Sequence, residues 1–242
     1  MKPVYTIYKY LGETPLEALE RLRKEEGIPA DVPMTYAGRL DPAAEGLLII
    51  LTGDACKKKE EYTDLDKTYR VEILVGVSTD SYDLLGMPMY GGEGANILKV
   101  AQGYLDANIG AQMQKYPPYS SKTVDGEQLH THARNGTDVE LPVHEVMLHE
   151  YTDLSIENIT SEDVLMRVGE LTSSVTGDFR QKEIVEAWAE LALPEKLPLL
   201  SVTLEVGSGF YIRQLAEDLG KTLGVGACLY SLVRTEIKGR TN

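Results

Sequence analysis

Asp41 is the residue in this sequence best placed to do chemistry. It lies in Met34 to Leu51, MTYAGRLDPAAEGLLIIL, between a tight turn and a long apolar run. Gly38 permits a backbone conformation that other residues resist, and Pro42 fixes its own φ and biases Asp41 away from helix. Gly46 to Leu51 reads as a buried strand, a short apolar run bounded by turn residues. A carboxylate held on a stiff loop in front of a core strand is a candidate nucleophile or base. Taken alone, the same residues also make an ordinary Asp-Pro turn.

The neighbouring elements are legible from their spacing. Thr14 is a good N-cap, Pro15 suits the first helical position and Glu17 completes a capping box, with Leu16, Leu19 and Leu22 on one face and Gly27 as the stop. Tyr69 to Val77 alternates as a strand, and the Ser/Asp/Gly-rich stretch up to Gly94 reads as loop. Asn96 to Ala107 is a short helix. Val202, Leu204 and Val206 alternate with Thr203 and Glu205, as a strand with one buried face requires. That strand leads into the Gly207 to Phe210 turn and a helix with Ile212, Leu215, Ala216, Leu219 and Leu223 on one side and Gly224 as cap.

At 242 residues the chain has room for one large domain. No run approaches the ~18 apolar residues of a membrane span and no charged-then-apolar leader opens the sequence, so no membrane is expected and the composition points to the cytoplasm. Cys56 and Cys228 have neither C-x-x-C nor Cys/His spacing and read as reduced structural thiols, and no metal site or cofactor is called for. The net charge of −14 counts against a phosphate-rich partner until its distribution is considered. Residues 137–200 carry 14 acids and 4 bases, a net of −10, which leaves −4 for the rest. Within that nearly balanced body Lys57, Lys58, Lys59, Lys67 and Arg70 form either a phosphate track or a solvated charged face.

Four ordered blocks carry a resemblance. GRLDPAAEGLLIILTGDACK is similar to the catalytic motif of TruB-type tRNA pseudouridine synthases, G-x-L-D-P-x-A-x-G-L-L followed by an apolar strand. Asp66 to Gly86, DKTYRVEILVGVSTDSYDLLG, resembles that family's D-K-x-Y and G-x-x-T-D-T-x-D-x-x-G segments. Pro117 to Gly136 resembles its P-P-x-Y-S-A-x-K block, and Gly207 to Thr235 its G-T-Y-I-R-x-L-x-x-D-L-G block.

The resemblance implies a mixed α/β fold with an extended, largely antiparallel central sheet flanked by helices. It implies isomerisation of uridine to pseudouridine at position 55 in the T-loop of tRNA, with the T-arm of tRNA as partner. No dimer element is obvious in the sequence, so a monomer is expected. Asp41 is then the nucleophile or base. An ionised acid in a dry pocket needs a cation, and Arg213 is the expected partner through two hydrogen bonds. Tyr69 is the expected platform for the flipped base, with Tyr211 and Leu232 lining the same pocket. Tyr36 stands where the family commonly has His, five residues before the acid, and is expected to touch RNA. Lys9 precedes Tyr10 where the family has Pro. A segment without counterpart in these blocks, 155–198, reads as an acidic helical insertion, with apolar spacing at Val164, Leu165, Val168 and Leu171 and then at Ile184, Val185, Trp188 and Leu191. Bacterial members mostly continue into a small RNA-binding, PUA-like domain, whereas this sequence ends at Asn242, so a single catalytic domain over 1–242 is expected.

Two rival readings follow from the same features. One is a non-catalytic RNA-binding or tRNA-folding protein on the same scaffold. The other is a synthase whose RNA contacts come from a complex.

Overall fold

The computed structural model describes residues 2–238; Asn242, the expected domain end, lies outside them. In chain order the elements are β1 (Val4–Lys9), α1 (Pro15–Glu25), β2 (Met34–Ala37), β3 (Glu45–Thr52), a 3-10 turn (Gly53–Lys58), α2 (Lys59–Thr63), β4 (Lys67–Val75), β5 (Val77–Thr79), β6 (Pro88–Tyr90) and α3 (Ile97–Asn108). There follow β7 (Gly110–Lys115), β8 (Thr123–Val124), β9 (Glu127–Gln128), α4 (Leu129–Arg134), β10 (Val143–Thr160), α5 (Ser161–Ser174), α6 (Gln181–Glu190), β11 (Lys196–Val206), α7 (Ile212–Leu223) and β12 (Ala227–Ile237).

An eight-stranded mixed sheet in the order β1-β3-β12-β4-β11-β10-β7, with β2 also on β3, is antiparallel except where β12 meets β3. The expected mixed α/β architecture with a largely antiparallel sheet is therefore present. Strand β4 shows how the pleat makes two cores. Its Val71, Ile73 and Val75 join the cluster with Leu105, Leu215 and Leu219 from α3 and α7, while Leu74 points the other way into a cluster with Val168, Ile184 and Trp188 from α5 and α6. Trp188 is fully buried and its indole N–H donates to the Gly86 carbonyl at 3.2 Å, so α6 is fastened to the loop between β5 and β6.

The opening helix has the expected capping box: Glu17 N–H donates to Thr14 Oγ1 at 3.2 Å and Thr14 N–H donates to Glu17 Oε2 at 2.7 Å. Its buried face is Pro15, Ala18, Leu19 and Leu22, and Leu16 points outward at 59% exposure, because Pro15 and not Leu16 shares the stripe. The strand expected to reach Val77 breaks at Gly76 into β4 and β5. The stretch read as loop up to Gly94 contains the β5–β6 hairpin; three-residue strands fall below what alternation can signal. In α5 and α6, Leu165 and Val185 sit at the rim, 37% and 42% exposed, beside buried Val164, Val168, Leu171, Ile184 and Trp188. Among the described residues no helix is long and apolar enough to cross a membrane.

Candidate active site

The loop bearing Asp41 is tied down on both sides. Gly38 adopts φ +69°, as its place after β2 requires, and its carbonyl accepts from Arg234 Nη2 at 3.0 Å. Beyond Asp41, the Ala44 N–H closes a turn on the Asp41 carbonyl at 3.0 Å and the Gly12 N–H donates to the Pro42 carbonyl at 2.9 Å. Gly46 lies opposite Arg234 where β3 and β12 pair, and a Cβ there would stand 2.3 Å from the Arg234 carbonyl oxygen. Glycine is what lets the two backbones approach, and this approach carries Arg234 under the loop.

Arg213 lies in the first turn of α7 with its side chain 6% exposed. Its Nε donates to Asp41 Oδ2 at 2.9 Å, and Nη2 lies 2.8 Å from the same oxygen. The remaining donors go to main chain: Nη1 to the Ser81 carbonyl at 2.8 Å and Nη2 to the Tyr119 carbonyl at 3.1 Å. A second acid, Asp83, has its Oδ2 3.6 Å from Arg213 Nε with its side chain only 7% exposed. Burial pushes the Asp83 carboxyl up, opposed by the Arg213 charge and the Ser81 hydroxyl, which donates to its Oδ1 at 2.6 Å. One buried guanidinium thus faces two carboxylates, one accessible and one sealed. The expected two-bond fork to Asp41 is one hydrogen bond plus one close contact, both to Oδ2, because the other N–H groups are spent on carbonyls.

Asp41 stands where two cavities meet. The smaller, about 220 Å³, is lined by Asp41, Lys67, Tyr69, Tyr211, Arg213, Leu232 and Arg234 among others. It is below the about 300–1,000 Å³ of pockets for drug-sized ligands, a size suited to a single base. The larger, about 450 Å³, also touches Asp41, Arg39, Tyr211 and Arg213 and extends to Tyr36, Tyr119, His130, Arg134 and Arg180. Five of the six expected residues, Asp41, Arg213, Tyr69, Tyr211 and Leu232, therefore surround one cavity, while Tyr36 lies in the larger one, with Lys59 Nζ 5.4 Å from its ring centre.

Tyr69 and Leu232 reach the cavity through sheet register. Tyr69 pairs with Arg234 across β4 and β12, and the extra residue between Leu229 and Ser231 turns Leu232 onto the same face as Val71 and Tyr69. Tyr211 precedes α7, and its backbone is held from both sides by the Gln114 side chain, which donates to Tyr211 O at 3.0 Å and accepts from Tyr211 N at 2.8 Å. Burial, and then the Asp41 carboxylate, push the Tyr211 phenol up to about 12. It is therefore a neutral donor at ordinary pH.

Residues 32–172 match the description of the TruB family pseudouridylate synthase N-terminal domain. The chain belongs to the TruB family of pseudouridylate synthases. It is 30% identical over 243 residues to tRNA pseudouridine synthase B of Desulfotalea psychrophila, covering 96% of this chain and 80% of that one. It is 32% identical over 225 residues to tRNA pseudouridine synthase B of Xanthomonas campestris pv. campestris, covering 92% of this chain and 58% of that one. In fold it is similar to a solved Cbf5-Nop10-Gar1 complex, with TM-score 0.53, 18% identity and coverage of 97% of this chain and 48% of that one. A solved H/ACA RNP bound to a substrate RNA containing 2'-deoxyuridine gives TM-score 0.53 at 15% identity, covering 97% and 47%. At these identities the structures speak for the fold alone, and this chain spans about half the length of each.

Within this TruB-family site, three residues were not singled out by sequence. Asp83 lay in the quoted Asp66 to Gly86 block, where its spacing was the available signal. Arg234, 1% exposed, donates from Nε to the Leu47 carbonyl at 2.6 Å and lies 3.4 Å from the Tyr69 hydroxyl through Nη1. Arg180 had no signal at all. Lys67, read with the surface track Lys57 to Lys59, is instead 5% exposed and lines the smaller cavity. Burial, with the Arg234 charge acting the same way, pushes its ammonium down to about 8.

Proposed function

We propose that this TruB-family chain isomerises uridine to pseudouridine in the T-loop of tRNA, at position 55, with Asp41 as the reacting carboxylate. The observation that carries this is the placement of Asp41: aimed by a buried arginine, on the wall between a base-sized cavity and a wider cleft. The reaction breaks the N1–C1′ bond, turns the freed uracil, and joins C5 to C1′; N1 gains a proton and C5 gives one up. Asp41 has three routes open to it, attack at C1′, attack at the base, or removal of a sugar proton, and each needs the charged form that Arg213 supports.

The uridine enters the smaller cavity by leaving its stack, at a cost of a few kcal/mol, and Tyr69 recovers part of that by stacking on the base. Leu232 and Tyr211 close the cavity and keep the free uracil from water. The RNA around the flipped nucleotide occupies the larger cleft, where Arg39, Arg134 and Tyr36 line the wall. The charge of the two arginines suits phosphate in a protein that is otherwise acidic. Mapping pseudouridine on an unmodified tRNA transcript after incubation with the protein tests the proposal; one new pseudouridine in the T-loop is expected, and its appearance elsewhere would refute the assigned position.

A further inference from the structure

We propose that Arg180, in the segment between α5 and α6, is a positioning residue for the Arg213–Asp41 pair. This rests on the function proposed above. Arg213 is held by two main-chain carbonyls, Ser81 and Tyr119, which belong to segments far apart in sequence. Arg180 joins those segments from the wall of the larger cleft. Its Nη1 donates to Asp80 Oδ2 at 2.8 Å and its Nη2 to Asp80 Oδ1 at 3.2 Å, and Asp80 is the immediate neighbour of Ser81. The same guanidinium sits 5.0 Å from the centre of the Tyr119 ring, and the Tyr119 hydroxyl donates to Asp80 Oδ2 at 3.1 Å. Arg180, Asp80 and Tyr119 make one closed cluster, and the two carbonyls that orient Arg213 leave from its edges.

The segment that delivers Arg180 is itself fixed. Arg180 has φ +59°, and its N–H donates to Asp178 Oδ1 at 3.2 Å. Arg134 of α4 donates to the Asp178 carbonyl at 2.6 Å and lies over the Phe179 ring, and the Thr176 hydroxyl bonds Glu17 of α1. Gln181 Nε2 donates to the Gly177 carbonyl at 2.7 Å. A bidentate arginine on a braced segment fixes direction as well as distance. Without it, Asp80 loses its charge partner, the Ser81 and Tyr119 carbonyls are free to separate, and the Arg213 plane that aims Asp41 can rotate. Misplacement of a reacting group by an ångström costs about 10²-fold in rate.

The test measures single-turnover rate at saturating tRNA, and tRNA affinity separately, for wild type, Arg180→Ala, Arg180→Lys, Asp80→Asn and the Arg180→Ala/Asp80→Asn pair. Expected are rates about 10- to 100-fold lower for Arg180→Ala and Asp80→Asn, partial recovery in Arg180→Lys, affinities within about threefold, and a double variant no slower than the slower single. Unchanged rates, additive losses, or a loss confined to affinity would overturn the proposal, the last making Arg180 a phosphate ligand. A second readout is independent of turnover: the Arg213 Nε–H resonance in the free protein is expected to shift in Arg180→Ala and Asp80→Asn. An unmoved signal overturns the clamp. If wild type makes no pseudouridine, the proposed function falls and this resonance alone decides. If Arg180→Ala does not fold, Asp80→Asn carries both measurements.

Discussion

Arg213 meets Asp41 through one carboxylate oxygen: Nε at 2.9 Å and Nη2 at 2.8 Å both reach Oδ2, and no hydrogen bond among the described residues reaches Oδ1. The arginine is nearly sealed while the acid remains about one-third exposed. One oxygen is thus a handle and the other is free for chemistry. A symmetric fork would have occupied both.

Removing the arginine has a consequence beyond Asp41, because Asp83 is buried beside it. Arg213→Met is expected to destabilise the fold by roughly 3–5 kcal/mol, since it leaves a buried carboxylate without its cation. Adding Asp83→Asn removes the stranded charge and is expected to restore a large part of that loss, with no recovery of pseudouridine formation. Chemical denaturation of the two single variants and the double variant measures the stability side. Additive losses would contradict the shared-cation account.

Tyr69 is expected to act through its ring face and not its hydroxyl. The residue is 7% exposed and packs in the main cluster, so truncation to Ala would cost folding as well as turnover; Phe and Leu are the informative replacements. Tyr69→Phe is expected to keep turnover within about tenfold, because only the long contact with Arg234 is lost. Tyr69→Leu is expected to lose roughly 10- to 100-fold, the worth of about 1–3 kcal/mol of base stacking. Melting temperatures of the two variants check that folding is comparable.

What sequence made legible were features with local causes. The Thr14 to Glu17 capping box and the Gly38 turn are settled within a few residues of themselves, and both stand in the structure as read. Arg213 was found through its motif, and its pairing with Asp41 spans 172 residues. Nothing local distinguishes Asp83 as a buried acid from a loop acid; it pairs with Leu229 of β12 and lies beside Arg213 of α7, both far away in sequence. Arg180 was invisible for the same reason, its partner Asp80 being 100 residues away. Lys67 looked like surface because charge counting along a chain cannot see which strand residues face inward.

Lys9 gives a prediction in pH. It is fully buried, with Nζ donating to the Tyr10 carbonyl at 3.1 Å and the Glu13 carbonyl at 2.7 Å. Burial pushes its ammonium down to about 8 from the ordinary 10.5. Between those values the unfolded chain holds more protons than the folded one, so the penalty for burying the charge is full below pH 8 and fades as pH rises to 10.5. The stability of wild type relative to Lys9→Met is therefore expected to rise by about 1–3 kcal/mol between pH 7 and 10.5. Denaturation of both proteins at several pH values measures it; a flat difference would mean that Lys9 is solvated.

Whether Asp41 is the reagent in uridine isomerisation is decided by comparing wild type and Asp41→Asn on one unmodified tRNA transcript. Pseudouridine at the T-loop and tRNA affinity are measured together. Product is expected with wild type, with a loss of roughly 10³-fold or more in Asp41→Asn and tRNA binding retained by both. Turnover by Asp41→Asn near the wild-type rate, or no product from wild type that binds the tRNA, would contradict that role.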